Sequence, residues 1–247
     1  MPTLAPRLLV LISALALPFS LACSGDDDDD DGGGGVDAGD GGGVDAGVDD
    51  CDETALLPLE YRPIGSISTS ELVTTADGDV TSAVIDGTAG GFIDYPDNPY
   101  LYIDLEAGVK VEIDDVDALT SDAWDIAFKR ANIRLNGGDS GPGDVAVAKV
   151  DGELADVTEA PADGEFATDD WASDNCLLQP LADGTPSSAF GEWYDYDDAT
   201  HILTPKAEVY VVRTRSGQLV KFVIDTYYGD DADPTRGAYY QAAWAPL

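Results

Sequence analysis

Apolar and polar residues alternate with a period of two along most of the chain after residue 53. Residues 101–105 and 109–114 show this alternation most plainly, which predicts strands with one buried face and one face in water. Residues 207–214 and 218–228 form the clearest pair of strands. The turn residues at 215–217 between them predict a β-hairpin.

Five further short segments carry the same strand pattern, with Gly, Asp and Pro between them: 81–85, 124–128, 133–135, 145–150 and 238–244. No segment after residue 22 has a helical apolar stripe longer than two turns. The predicted fold class is therefore all-β, with two packed, mainly antiparallel sheets. Because Trp124, Ile126 and Phe128 alternate, we expect them to share one strand face in the core.

Residues 1–22 have the pattern of a secretory signal peptide. Arg7 precedes the uncharged apolar run 8–17, which is shorter than the roughly 20 residues that span a bilayer. A cysteine at the end of such a segment resembles the bacterial lipobox, so we expect Cys23 to carry a lipid anchor. The alternative is a secreted protein cleaved nearby, in which Cys23 is an ordinary thiol.

Residues 23–53 read as a linker of Gly and Asp that carries the domain away from the membrane. The segment holds six consecutive aspartates at 26–31 and has almost nothing to bury. A calcium loop of the EF-hand type is disfavoured because Ala38 stands where the twelfth-position Glu would be, counting from Asp27. The predicted β domain is 54–247.

The charge of the chain excludes some partners. The formal net charge is −37, and residues 54–247 alone keep 36 acidic against 11 basic residues, a net −25. Nucleic acid is excluded as a partner, because phosphate binding needs a basic surface. Docking on anionic lipid through a basic patch is disfavoured as well.

Two cysteines remain if Cys23 takes a lipid. An even pair in an exported protein predicts a disulfide between Cys51 and Cys176, which would tie the linker to the domain. The alternative is two free thiols.

Several short motifs follow one another between roughly residues 60 and 245. They are W-D-I-A-F at 124–128, N-G-G at 136–138, S-G at 140–141 and E-V-Y-V-V-R-T at 208–214. Together they resemble the HmuY family of bacterial surface lipoproteins. The resemblance implies a two-sheet fold, lipid anchoring at the outer membrane or cell surface, and capture of haem without catalysis.

The resemblance also implies a set of iron ligands. Haem iron takes His, Met, Cys thiolate or Tyr, and haem-binding family members use a His pair or replace one His by Met. Here His201 is the sole histidine, Met1 leaves with the signal peptide, and Lys129 stands where a ligand histidine follows W-D-I-A-F. A His pair is thus excluded. Five-coordinate binding by His201, a His/Tyr arrangement with Tyr194 or Tyr196, and a His201 without a ligand role remain open.

The sequence G-D-S-G-P at 138–142 resembles the nucleophile region of chymotrypsin-like proteases. In that family the general-base histidine precedes the serine, whereas His201 follows Ser140. We favour a Gly-rich turn in which Asp139 and Ser140 cap backbone groups. We therefore expect the protein not to be an enzyme.

Acidic residues cluster twice near the end of the domain: Glu192, Asp195, Asp197 and Asp198 among aromatics, and then Asp230, Asp231 and Asp233. Carboxylates in such number suit calcium, which takes 6 to 8 oxygen ligands. A glycosidase pair is a weaker interpretation. The alternative is a solvated acidic face.

Two functional hypotheses follow. The first is a surface lipoprotein that binds a small molecule such as haem, taken up free or from a haem-bearing protein. The second is a structural or adhesion lipoprotein on the same fold that has lost haem ligation, with calcium as its candidate cofactor.

Overall fold

Strands dominate the part of the chain that a computed structural model describes, residues 52–229 and 233–247. The predictions for the signal peptide, Cys23 and Cys51 lie outside these residues. The twelve strands of the described part are β1 (Leu72–Asp77), β2 (Val80–Asp86), β3 (Leu101–Asp104), β4 (Val109–Val111), β5 (Ile126–Lys129), β6 (Asn132–Leu135), β7 (Ala146–Asp151), β8 (Tyr194–Asp197), β9 (Ile202–Pro205), β10 (Glu208–Arg213), β11 (Leu219–Thr226) and β12 (Tyr239–Pro246).

Helices in the same residues are short. Helix α1 covers Glu53–Leu56 and α2 covers Asp115–Ala118, and three single 3₁₀ turns lie at Leu59–Tyr61, Tyr95–Asp97 and Asp163–Glu165. None of the helices described is long and apolar enough to cross a bilayer. The all-β prediction is confirmed.

The strands form three sheets, and every strand pair in them is antiparallel. The large sheet has the order β1-β2-β12-β11-β10-β7. The second sheet has the order β4-β3-β5-β6, and β8 and β9 form a separate two-stranded hairpin.

The main core lies between the large sheet and the four-stranded sheet, because side chains of both belong to one buried cluster. The ring of Phe128 on β5 lies 6.4 Å from Phe222 on β11 and 5.0 Å from Tyr240 on β12. Burial of these apolar faces against each other stabilises the sandwich. The predicted two packed sheets are thus present.

A second buried cluster covers the outer face of the four-stranded sheet. Its aromatic members are Tyr61, Tyr100, Tyr102, Trp124 and Trp171. The expectation of a wet face on residues 101–105 was therefore wrong, since Tyr102 is 4% exposed.

Trp124 also departs from the expected arrangement. Strand β5 begins at Ile126, so the alternation does not extend back to Trp124, which packs edge-on against Tyr102 at 4.9 Å in the second cluster. Its indole N–H donates to the carbonyl oxygen of Ala118 at 3.1 Å. Trp124 is buried as expected, but away from Ile126 and Phe128.

The predicted hairpin is present as β10 and β11. The amide of Thr214 donates to the carbonyl oxygen of Gln218 at 2.8 Å, and Gly217 takes a φ of 86°, which glycine adopts without strain. The strand predicted at 109–114 is shorter, because the carboxylate of Asp114 accepts from the amide of Asp117 at 2.9 Å and begins α2 instead.

Cys176 is disulfide-bonded. It is the sole cysteine within residues 52–229 and 233–247. Pairing with Cys51 stays a prediction, since Cys51 lies outside the described residues.

Candidate functional site

A cavity of about 1350 Å³ opens beside the β8–β9 hairpin. It is larger than the roughly 300–1,000 Å³ of most small-molecule pockets, so it has room for a large ligand. We call it the tyrosine cleft, because these tyrosines are among its lining residues: Tyr61, Tyr95, Tyr194, Tyr196, Tyr227, Tyr228 and Tyr239.

Strand β8 places two of these tyrosines side by side. Tyr194 and Tyr196 are two residues apart on one strand, so both point to the same face. His201 lies in the turn before β9 with a φ of 59°, and its amide donates to the carbonyl oxygen of Asp197 at 2.7 Å. The hairpin therefore brings His201 back beside Tyr196.

Tyr196 and His201 are hydrogen-bonded through their side chains. The distance between the Tyr196 hydroxyl and Nδ1 of His201 is 2.6 Å. Tyr196 is 50% exposed and His201 is exposed as well, and both line the cleft. This pair of titratable groups is open to a ligand.

Tyr194 has a different partner. Its hydroxyl donates to the carboxylate of Asp183 at 2.8 Å. Burial, and then the Asp183 carboxylate, raise the pKa of Tyr194 above its usual value. Partial desolvation acts to raise the pKa of Asp183, but hydrogen bonds from Thr185 and Tyr194 outweigh it and the pKa is lowered. Tyr194 is thus held as a neutral phenol.

Trp193 and Tyr228 form an aromatic wall that supports the β8–β9 hairpin. Trp193 packs edge-on against Tyr194 at 4.8 Å, and its indole N–H donates to the carbonyl oxygen of Ala131 at 2.9 Å. The hydroxyl of Tyr228 accepts from the amide of Leu203 at 2.8 Å, which joins β9 to the segment after β11. The wall is preorganised by these contacts.

Two arginines line the cleft. The guanidinium of Arg130 lies 5.8 Å from the ring of Phe92 and donates to the carbonyl oxygen of Gly237 at 3.3 Å. The guanidinium of Arg236 lies 4.8 Å from the ring of Tyr239. Since guanidinium groups bind carboxylates through paired hydrogen bonds, this arrangement suits an anionic ligand.

The three residues predicted from the sequence, His201, Tyr194 and Tyr196, all line this one cleft. Their role as ligands stays a prediction. The sequence reasoning missed Arg130 and Arg236, for which no local pattern gave a signal.

Lys129 does not line the cleft. It is fully buried on β5, with its ammonium group 5.5 Å from the ring of Tyr100 and without a hydrogen-bond partner among the described residues. Burial lowers its pKa to about 8, against the effect of the Asp115 carboxylate. Lys129 is thus buried and not part of the cleft lining.

The G-D-S-G-P segment has a structural role. The hydroxyl of Ser140 donates to the carboxylate of Asp169 at 2.7 Å, and Ser140 is 3% exposed. The carboxylate of Asp139 accepts from the amides of Trp171 and Ala172 at 2.7 and 2.8 Å. Asp139 thus caps backbone groups as expected from the sequence, whereas the Ser140 hydroxyl bonds to the side chains of Asp169 and Trp171 instead. His201 is engaged elsewhere, by Tyr196.

The same turn is closed by a buried asparagine. The amide group of Asn136 donates to the carbonyl oxygen of Trp124 at 2.8 Å, and its side-chain oxygen accepts from the amide of Gly143 at 3.0 Å. A Cβ on Gly137 would lie 2.1 Å from the carbonyl oxygen of Val145, so this close approach requires glycine. We call Asn136, Asp139, Ser140 and Asp169 the glycine-loop cluster.

The calcium hypothesis has no support from the described residues. Within 52–229 and 233–247 no group of three or more His, Cys, Asp or Glu side chains is placed to hold a metal ion. Asp197 instead accepts from the amide of Ala199 at 2.8 Å. Asp230 and Asp231 lie outside the described residues.

A family model described as the HmuY protein matches residues 97–240, more than half of the chain. The chain belongs to the HmuY family. The match includes Arg130, Arg236 and the whole β8–β9 hairpin, so most of the cleft lies within the HmuY region.

Three solved structures are similar to this chain. A candidate lipoprotein from Bacteroides fragilis is 19% identical, with a TM-score of 0.49 over 70% of this chain and 95% of that chain. A candidate HmuY-like heme-binding protein from Bacteroides vulgatus is 16% identical, with a TM-score of 0.48 over 70% and 96%. The apo HmuY analogue of Tannerella forsythia is 18% identical, with a TM-score of 0.45 over 72% and 98%. No curated protein matches the chain.

Proposed function

We propose that this HmuY-family protein is a non-enzymatic surface lipoprotein that captures haem in the tyrosine cleft. The observation that carries the proposal is the exposed Tyr196–His201 pair inside a large cavity that also presents two arginines. A phenol and an imidazole are both among the side chains that bind haem iron. No ligand histidine pair is needed for this arrangement.

The chemistry of the cleft fits haem in two further respects. Haem is a flat, largely apolar ring, and aromatic side chains such as Tyr227 and Tyr239 offer flat apolar surface. Its two carboxylates need cations, which Arg130 and Arg236 supply in a domain whose overall charge is strongly negative. A haem-bearing protein is the proposed natural source of the ligand.

The direct test is a haemin titration of the purified full chain in mild detergent, followed by the Soret band. We expect a saturable shift that the double variant Tyr196→Phe with His201→Ala abolishes. Ser140→Ala, in the glycine-loop cluster, is the matched control and should bind like the unaltered protein. An unaltered protein that gives no saturable shift would remove haem as the ligand.

A second candidate is a structural or adhesion lipoprotein on the same fold. Lys129 favours it, because this buried lysine stands where the family resemblance implies a ligand histidine. Absence of haemin binding together with normal surface display would support this candidate over haem capture.

The proposed location rests on Cys23, which we expect to carry the lipid. Changing Cys23→Ser should release the protein from the membrane fraction or stall its processing. Protease treatment of intact cells would then distinguish the cell surface from the periplasm. A Cys23→Ser protein that still partitions with membranes would contradict the anchor.

The proposed disulfide joins Cys51 and Cys176. Peptide mapping without reduction should recover the two cysteines as one linked pair, and reduction should lower the free energy of unfolding by about 2–4 kcal/mol. Recovery of Cys51 as an alkylatable thiol from native protein would exclude this pairing.

A further inference from the structure

We propose that Phe92 is a stacking residue of the tyrosine cleft, and that its ring covers a flat aromatic ligand whose carboxylate binds Arg130. The inference rests on the proposed function and adds a residue to its binding site. Neither of the two contacts involves the iron of haem.

Phe92 and Ile93 form an apolar pair at the tip of the loop between β2 and β3. Their exposed fractions are 77% and 86%, higher than that of any other large apolar side chain described as exposed. Phe92 also lines the tyrosine cleft. A ligand in the cleft therefore lies beside an exposed aromatic ring, and burial of that ring against the ligand stabilises the complex.

Arg130 lies directly beside this ring. The guanidinium carbon of Arg130 is 5.8 Å from the centre of the Phe92 ring. A guanidinium binds a carboxylate through paired hydrogen bonds, whereas a phenyl ring stacks on another aromatic ring. The two side chains together thus match a ligand that carries a carboxylate close to an aromatic ring. Haem has this arrangement, because its two carboxylates are attached to the edge of the macrocycle.

The main chain fixes Arg130 to both neighbouring loops. Its amide donates to the carbonyl oxygen of Gly87 at 2.7 Å, and its guanidinium donates to the carbonyl oxygen of Gly237 at 3.3 Å. The amide of Gly87 in turn donates to the carbonyl oxygen of Ala238 at 2.8 Å. The base of the Phe92 loop is therefore joined to the turn that carries Arg130 and to the segment before β12.

The tip of the loop is ordered by its own contacts. The amide of Tyr95 donates to the carbonyl oxygen of Gly91 at 3.0 Å, and the ring of Tyr95 lies 6.3 Å from that of Phe92. Tyr95 lines the cleft as well. Because Phe92 already stands at the wall of the cleft, little ordering of the loop is left for the binding step.

The first test compares the affinity of the full chain for ferric haemin in mild detergent with that of three variants. Phe92→Ala should lower the affinity about tenfold, because it removes the stacked ring. Phe92→Leu should lose most of the same affinity, since leucine is apolar but not flat, and Phe92→Trp should retain it. Phe166→Ala is the matched control. The ring of Phe166 also lies beside an arginine, 4.2 Å from the guanidinium of Arg213, and is not part of the cleft lining.

Haemin dimethyl ester tests the carboxylate contact, because it keeps the ring and lacks the free carboxylates. Phe92→Ala should weaken the binding of haemin and of the ester by similar factors. Arg130→Gln should weaken the binding of haemin and leave that of the ester nearly unchanged. Equal losses for the two ligands in Arg130→Gln would overturn the carboxylate contact.

Proteolysis gives a readout other than affinity. Exposed loop tips are preferred sites of proteolytic cleavage, and chymotrypsin cuts after aromatic residues. We expect chymotrypsin to cut the protein between Phe92 and Ile93, and saturating haemin to slow this cut, because the stacked ring is covered. Fragment masses identify the cut, and a peptide substrate in the same mixture checks that haemin does not inhibit the protease.

The outcomes separate this inference from the proposed function. A Phe92→Ala protein that binds haemin as tightly as the unaltered one, or a cut after Phe92 that haemin does not slow, would overturn the role of Phe92 and leave haem capture standing. Equal losses of affinity in Phe92→Ala and Phe166→Ala would also overturn it. An unaltered protein that does not bind haemin would overturn both.

Discussion

The glycine-loop cluster and the tyrosine cleft differ in the exposure of their polar side chains. Asn136, Ser140 and Asp169 are each at most 3% exposed, and their hydrogen bonds go to groups inside the protein. In the cleft, Tyr196 is 50% exposed and its hydroxyl bonds to an exposed histidine. A polar residue type therefore indicates a binding or catalytic site only when its exposure and its hydrogen-bond partners are also known.

The largest effect on stability is expected at Trp124, an aromatic core residue that contacts the glycine-loop cluster. Trp124 is 1% exposed, and its own carbonyl oxygen accepts from Asn136. Trp124→Ala should lower the free energy of unfolding by about 3–5 kcal/mol in denaturant titrations, because it leaves a cavity. The exposed Leu59→Ala is the control and should change it by less than about 0.5 kcal/mol. A Trp124→Ala cost below that of an ordinary surface change would show that the second cluster is dispensable.

Asp169→Asn should lower the free energy of unfolding by a smaller amount, about 1–3 kcal/mol. The reason is that three donors then face a side chain with only one acceptor oxygen. These donors are the amides of Leu135 and Ala189 and the hydroxyl of Ser140. Burial raises the pKa of Asp169 to about 6. Between about pH 4 and pH 6 the folded state therefore binds a proton that the unfolded chain does not. The contribution of Asp169 to stability falls as the pH rises through that window.

Stability curves of the unaltered protein and of Asp169→Asn, measured from pH 4 to pH 7, would check the sign. The difference between the two should be largest at the acid end. Haemin binding should be unchanged in the variant, and a loss of binding without a loss of stability would mean that the two regions are coupled.

Lys129→Met should raise the free energy of unfolding at pH 7 by about 1–3 kcal/mol, because it removes a buried charge that has no hydrogen-bond partner among the described residues. The folded pKa of about 8 lies below the ordinary value near 10.5. The unfolded chain therefore binds more protons between these values, and the stability of the unaltered protein rises with pH through that window. The gain from the substitution should shrink accordingly towards pH 10. Lys206→Met is the control, and a gain that is equal at pH 7 and pH 10 would contradict the argument.

Arg236→Ala should lower haemin affinity by about tenfold, in keeping with the roughly 1.5–3 kcal/mol of a hydrogen bond to a charged group. Its effect on the free energy of unfolding should be small, since Arg236 is exposed. Arg213→Ala is a matched control, because Arg213 lies on β10 and does not line the cleft. Equal losses of affinity in both variants would point to overall charge as the cause.

The smallest effect is expected from chelation. Because the described acids form no metal-holding group, excess chelator at constant ionic strength should shift the melting temperature by less than about 1 °C. A large calcium-specific rise in the melting temperature would restore the calcium hypothesis.

Much of the sandwich could be predicted from the sequence, because Val220, Phe222 and Ile224 recur at every second position and the turn at Gly217 is local. The β8–β9 hairpin was missed. Its Tyr-Asp-Tyr-Asp run alternates aromatic and acidic residues but contains no aliphatic side chain, so the sequence presents it as an acidic cluster and not as a strand.

The candidate site was only half accessible to sequence reasoning. Tyr194, Tyr196 and His201 lie within eight residues of one another, so a local search finds them. Arg130 and Arg236 come from distant turns, and only the packing of β5, β6 and β12 brings them to the same cavity. Lys129 and Arg130 are neighbours in the chain. Lys129 is the last residue of β5 and is buried, whereas Arg130 follows the strand and lines the cleft.

The place of β12 in the large sheet has a consequence for biosynthesis. This strand lies between β2 and β11, although roughly 150 residues separate it from β2 in the chain, and such non-local pairing makes folding slow. During synthesis the β1–β2 hairpin emerges long before β12 and exposes an unpaired strand edge, which favours association with other chains. The strong negative charge of the domain opposes this association, because like-charged nascent chains repel one another before the sheet is complete.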